Sequence, residues 1–167
     1  MNFNVTALPG AAFGGLVTAP INTADIVTAA EASPAALPGL LNQFNGFLLI
    51  KGMEKLETKP EFLIRLSQIF GSEVESYHET RMAQQNVHPE IPEILMVSNI
   101  PPADRKPPPQ PDPPRNTDGS IPIQFPHRRG WHTDQSYRRP PPDISLFFCV
   151  VPAPKGQAQT LYANGIE

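Results

Sequence analysis

Proline restricts what this chain can fold into more than any other feature. It supplies 22 of the 167 residues, about 13 per cent, where proteins average near 5 per cent. Much of it falls in PPADRKPPPQPDPP, residues 101–114. Because proline lacks an amide donor and fixes φ, this stretch excludes both a helix and a central strand. We expect an extended loop inserted between two packed elements, and the alternative is a polyproline ligand for a partner's aromatic groove.

Composition narrows the class of protein. A length of 167 residues suits one domain with a substantial core. The 13 Lys and Arg against 16 Asp and Glu give a net charge of -3, so we expect no nucleic-acid partner. The single cysteine, Cys149, cannot form an internal disulfide, and its apolar surroundings predict a core position. No segment is apolar over a membrane-spanning length, so we expect a cytoplasmic protein without a membrane partner, with homo-oligomerisation left open.

Helices are predicted ahead of most strands. Thr58 and Glu61 form a capping-box pair, and apolar residues at helical spacing follow until Gly71. A weaker helix is predicted over 33–44, with its regular part confined by Pro38 to the later half. Short apolar runs bounded by Gly and Pro predict strands. These strands are expected at 46–52, 92–100, 144–151 and 159–165. The pattern indicates a mainly β fold with flanking α-helices.

The motif that bears on chemistry is GWHTDQSYRRPPP, residues 130–142. On an extended segment, His132 and Asp134 share one face and lie roughly 6.6 Å apart along the strand, so both can converge on one ion. An imidazole and a carboxylate are two of the three donors of the facial triad that holds Fe(II) in non-haem oxygenases. The bare pattern is weak, since roughly 0.14 matches are expected by chance. The alternative is a histidine hydrogen-bonded to a nearby aspartate at a strand end.

The chain contains a second, looser match to the His-x-Asp pattern. His88-Pro89-Glu90 also places an acid two residues after a histidine. It lies in a polar stretch broken by proline and has no strand signal. We therefore interpret His88 as a surface residue and not as a metal ligand.

Whole segments of the chain resemble one family. The run WHTDQSYRRPP, followed by ISLFFCVVPAP and then TLYANG, resembles the taurine dioxygenase (TauD/TfdA) family of Fe(II)- and 2-oxoglutarate-dependent oxygenases. Upstream, LPGAAFGGLVTAPI resembles the family's opening strand and turn, GFLLIKG its first core strand and EFLIRLSQIFG its following helix. The resemblance implies a double-stranded β-helix (jelly roll, clavaminate synthase-like). Residues 1–167 would form the N-terminal part of this single domain, and the fold would be incomplete in this chain.

The resemblance also implies roles for individual residues. His132 and Asp134 match the first two iron ligands, and Thr160 matches the threonine that helps hold the distal carboxylate of 2-oxoglutarate. Asn99 lies where family members approach the substrate, a small organic molecule hydroxylated with dioxygen. The family's Gly-Gly-acid turn before the threonine is replaced here by 157–159, Gln-Ala-Gln. Residues 128–130 differ from those of the taurine enzyme, so taurine itself is not implied.

Two family residues have no match. The family's third ligand, a second histidine, and its 2-oxoglutarate-binding arginine lie far downstream of His-x-Asp. Here the other histidines precede the motif, and Arg138 and Arg139 follow it too closely. We expect an N-terminal fragment that is inactive alone, with a natural short form without catalysis as the alternative. In a different class, a non-catalytic interaction protein would bind a partner through its proline-rich loop at 101–114.

Overall fold

A computed structural model describes residues 3–18, 25–77, 87–97, 115–120, 131–135, 139–152 and 160–165. The proline-rich loop at 101–114 and Asn99 lie outside these ranges, so the predictions made for them are not addressed by the structure. The elements in chain order are β1 (Asn4–Ala7), β2 (Gly15–Thr18), α1 (Ile26–Ala32), α2 (Ala36–Gln43), β3 (Leu48–Ile50), a 3₁₀ helix (Glu54–Glu57) and α3 (Glu61–Ser67). No helix in the described part of the chain is long and apolar enough to cross a bilayer.

The three strands form one small sheet in the order β1-β2-β3. β1 and β2 are antiparallel, with Asn4 opposite Thr18. β2 and β3 are parallel, with Gly15 opposite Leu48, and the chain between them runs through α1 and α2. A parallel pair needs such a crossover, because the second strand must start again at the same end of the sheet. The sheet therefore brings the loop before β2 next to the loop before β3.

α1 was not anticipated from the sequence. It begins at Asp25, whose Oδ1 accepts a hydrogen bond of 2.7 Å from the backbone N–H of Thr28. This bond satisfies an amide that has no partner inside the helix, and it lowers the pKa of the Asp25 carboxyl. The ammonium group of Lys55, whose Nζ lies 3.5 Å from Asp25 Oδ2, also lowers the pKa of Asp25. α1 has only seven residues, so its apolar residues are too few to show the helical periodicity from which a helix is predicted.

α3 confirms the helix predicted after Thr58, but the predicted capping box is wrong. The helix starts after Pro60, and no side chain caps it. The hydroxyl of Thr58 instead donates to the carbonyl of Lys55 at the end of the 3₁₀ helix, at 3.3 Å. A capping box needs Thr58 at the N-cap and Glu61 three residues later, whereas here Pro60 is the N-cap and Glu61 the first helical residue. α3 is tied to α1 by Arg65, which donates two hydrogen bonds of 2.8 and 2.6 Å to the carboxylate of Glu31.

The core lies between the sheet and these helices. β2 contributes Val17, which is fully buried, and α2 contributes Leu37. α2 also holds Pro38 within its first turn, where the missing amide has no intrahelical partner to lose, so the helix begins before the proline and not after it. The buried cluster consists of Phe3, Val17, Ile26, Val27, Ala29, Ala30, Leu37, Met53, Leu56 and Leu66.

The strand predictions are confirmed only in part. β3 lies inside the predicted segment 46–52. The described part of 92–100 contains a single bridge, between Val87 and Leu95, and no strand is formed over 144–151 or 160–165. Leu146 and Phe148 nevertheless pack against the core while Phe147 is exposed, which is the alternation of an extended chain. The described strands form a three-stranded sheet and do not by themselves make a double-stranded β-helix.

Candidate functional site

The His-x-Asp motif leads into a turn and is not on a strand: His132 and Thr133 have no regular structure, and the turn begins at Asp134. Trp131 is at a bend, Asp134 and Gln135 form a turn, and Gln135 has a left-handed φ of 50°. The motif is therefore not part of a strand among the described residues. The turn still brings the two polar groups together, with 3.6 Å between His132 Nε2 and Asp134 Oδ1. Both side chains are accessible, with 58% and 39% of their surfaces exposed.

This separation suits two donors on one metal ion. Histidine nitrogen and carboxylate oxygen bind divalent metals at roughly 2.0–2.2 Å. Two such donors at angles of about 90° to 120° around the ion lie roughly 3.0 to 3.6 Å apart. The observed 3.6 Å between His132 and Asp134 is at the wide end of this range. No cluster of three or more His, Cys, Asp or Glu side chains suited to a metal occurs in the described ranges.

Gln135 connects the motif to a distant part of the chain. Its Nε2 donates a hydrogen bond of 2.7 Å to the hydroxyl of Tyr77. The backbone N–H of Tyr77 donates in turn to the carbonyl of Pro92 at 3.0 Å. The other amide atom, Gln135 Oε1, is buried without a hydrogen-bond partner. Sequence reasoning missed Gln135, since its only signal was its position after Asp134.

A cleft of about 390 Å³ lies against the motif. This volume is within the range of small-molecule sites, roughly 300 to 1,000 Å³. One side is formed by the motif and the other by the segment that follows Thr160. The lining residues are Trp131, His132, Thr133, Leu161, Tyr162 and Ala163. The structure thus brings together two segments that the sequence separates by more than 25 residues.

Tyr162 connects the cleft to aromatic side chains near the sheet. Its ring lies 4.6 Å from that of Phe47, measured between centroids, and Phe47 in turn makes an edge contact with Phe13 at 6.1 Å. Burial raises the pKa of the Tyr162 hydroxyl, and the nearby charge of Asp134 raises it further. The phenol therefore stays protonated beside the motif. The sequence placed Tyr162 in a predicted strand and gave it no role.

The other predicted residues fall in different places. Thr160 is exposed and directly precedes the cleft residue Leu161, whereas Asn99 lies outside the described residues. His88, interpreted from the sequence as a surface residue, is half-buried and uses its Nδ1 to accept two local backbone hydrogen bonds of 3.2 Å, from Glu90 and Ile91. Cys149 is exposed, so its predicted core position is wrong. It lies on the outward face of the segment whose inward face carries Phe148.

A histidine and a carboxylate are two of the three donors that hold iron in many non-haem iron proteins. The chain matches the family model described as "Taurine catabolism dioxygenase TauD, TfdA family" over residues 5–167, and it belongs to that family. Membership supports dioxygenase chemistry at the level of the family, whose members use Fe(II) and 2-oxoglutarate. Comparison with curated proteins and with solved structures returned no match.

Proposed function

We propose that the chain carries part of the active site of an Fe(II)- and 2-oxoglutarate-dependent dioxygenase that hydroxylates a small organic substrate. The observation that carries this proposal is the 3.6 Å approach of His132 Nε2 to Asp134 Oδ1 at the edge of a cleft. Family membership supports it independently. In the overall reaction, substrate R–H, dioxygen and 2-oxoglutarate give R–OH, succinate and carbon dioxide, so one oxygen atom enters each of the two organic products.

Each residue has a distinct part in this proposal. The neutral imidazole of His132 offers its Nε2 lone pair to the metal, and Asp134 offers an anionic oxygen that offsets part of the metal's charge. Thr160 supplies a hydroxyl donor for the distal carboxylate of 2-oxoglutarate, and Asn99 supplies an amide for the substrate. Iron, when bound, supplies the activation of dioxygen that no side chain provides.

The proposal includes a limit on activity. Residues 135–167 contain no histidine, and the arginines after the motif, Arg138 and Arg139, follow it at once. A second histidine ligand and a 2-oxoglutarate-binding arginine therefore have no match within residues 135–167. Because two donors bind a divalent ion more weakly than three, we expect weak iron binding and negligible succinate formation by this chain alone.

Iron binding tests the proposal. His132→Ala should weaken anaerobic Fe(II) binding, measured by isothermal titration calorimetry, by at least about tenfold, since about 1.4 kcal/mol or more is lost with one of two protein donors. The matched control is His88→Ala, because His88 also precedes an acid by two residues but accepts only local backbone bonds. That control should bind iron as the parent does. Equal affinity in His132→Ala and the parent would show that the pair is not the metal site.

A further inference from the structure

The cleft beside His132 has a wall of exposed apolar side chains. Trp131, Leu161 and Tyr162, called here the apolar wall, have exposed fractions of 71%, 53% and 50%. Exposed apolar side chains that line one concave site are typical of a ligand-binding site. Removing their surface from water is favourable when a ligand covers them. His132 lines the cleft together with the wall, and Asp134 Oδ1 lies 3.6 Å from His132 Nε2.

The wall is anchored to the sheet. Tyr162 packs on Phe47 at 4.6 Å with the rings tilted by 50°, and Phe13 meets Phe47 edge-on at an angle of 80°. Phe47 immediately precedes β3, and its carbonyl accepts a 3.0 Å hydrogen bond from the backbone N–H of Gly15 in β2. A ring held in this way is preorganised, so a ligand that contacts Tyr162 need not order the ring first.

We propose that the apolar wall binds the aliphatic or aromatic body of the substrate, next to the His132 and Asp134 pair. The substrate class is then a molecule with a neutral hydrocarbon portion. A small zwitterion such as an aminosulfonate would leave the three apolar side chains uncovered. This inference rests on the proposed function and adds to it the kind of substrate that the site accepts.

The chain carries its own reporter for this site. Trp131 is its only tryptophan, and it belongs to the apolar wall, so its fluorescence responds to ligands at the cleft without background from other indoles. We would titrate the full chain with benzyl alcohol and cyclohexanol as neutral probes, and with taurine as the zwitterionic probe. The expected result is a saturable change in Trp131 emission with both alcohols, at lower concentrations than any change with taurine.

Substitutions test whether the change in Trp131 fluorescence comes from binding at the apolar wall. Tyr162→Ala should weaken benzyl alcohol binding about tenfold, which corresponds to about 1.4 kcal/mol, because it removes the ring that the probe contacts. Tyr162→Phe keeps the ring and should bind within about twofold of the parent. Phe147→Ala is the matched control, since Phe147 is an exposed aromatic side chain that is not among the cleft residues. It should leave binding unchanged.

Three results would overturn the inference. Tyr162→Ala could bind benzyl alcohol as tightly as the parent does, or taurine could saturate the signal before the alcohols. Sedimentation could also show a dimer whose Trp131 emission ignores every probe, which would mean that a second copy covers the wall. In each case iron binding that still depends on His132 would leave the proposed function standing. If iron binding ignores His132, the proposed function fails, and the substrate inference fails with it.

Discussion

Replacing Gly14 with alanine should destabilise the fold and disturb the cleft as well. Gly14 has a φ of +99°, and a Cβ at this position would lie 2.9 Å from Cδ1 of Phe47. An L-residue in a left-handed conformation costs about 1–2 kcal/mol, and forcing a packed ring to move costs about 1–3 kcal/mol more. The ring that must move is the one on which Tyr162 packs. We therefore expect Gly14→Ala to lower the free energy of unfolding by about 2–5 kcal/mol.

Gly10→Ala separates the two contributions. Gly10 also has a positive φ, +75°, but a Cβ there would meet no atom within 4 Å. Gly10→Ala should therefore lower the free energy of unfolding only by the cost of the left-handed conformation, about 1–2 kcal/mol. Urea unfolding followed by far-UV circular dichroism measures both variants, and the midpoint and slope together give the free energy. The difference between the variants isolates the contact with Phe47.

A second measurement connects this contact to the site. If Phe47 moves in Gly14→Ala, Tyr162 loses its packing partner, and benzyl alcohol should bind more weakly than it does to Gly10→Ala. Equal losses of stability in the two glycine variants, together with equal probe affinities, would refute the reasoning. They would show that Phe47 adjusts at no cost and that the aromatic contacts do not hold the cleft.

Two further predictions concern the scaffold. Asp25→Ala should destabilise by about 1 kcal/mol in urea unfolding, and Thr58→Ala by much less, because only Asp25 caps a helix. The pKa of Asp25 is lowered from its ordinary 3.8, so the stability that its carboxylate contributes should be complete above that pH and disappear as the pH falls through the lowered pKa. A stability difference between Asp25→Ala and the parent that does not change with pH would contradict this. Tyr77→Phe should cost about 1 kcal/mol by leaving Gln135 Nε2 without its acceptor, and an unchanged midpoint would show that water replaces it.

Local sequence patterns predicted the elements whose stabilisation is local. The apolar repeat before Gly71 gave α3, and the apolar run between Gly46 and Gly52 gave β3. The predicted capping box is wrong because the helix begins two residues later than that pairing requires, with Pro60 at the N-cap, after the 3₁₀ helix that ends at Glu57. Within the predicted strand 144–151, residues 146–149 alternate between half-buried and exposed without strand pairing among the described residues. Alternation reflects burial of one face and does not require a hydrogen-bonded neighbour.

The sequence by itself determined that His132 and Asp134 are close enough along the chain to act on one ion, and its resemblance to the taurine dioxygenase family is borne out by the family match. It did so because neighbours two residues apart remain near one another in almost any backbone conformation. Only the tertiary structure decided that a turn brings them to 3.6 Å, that Gln135 ties the motif to Tyr77, and that Tyr162 lies across the cleft. These contacts join segments tens of residues apart, and no local pattern records which distant side chain fills the space beside a given residue.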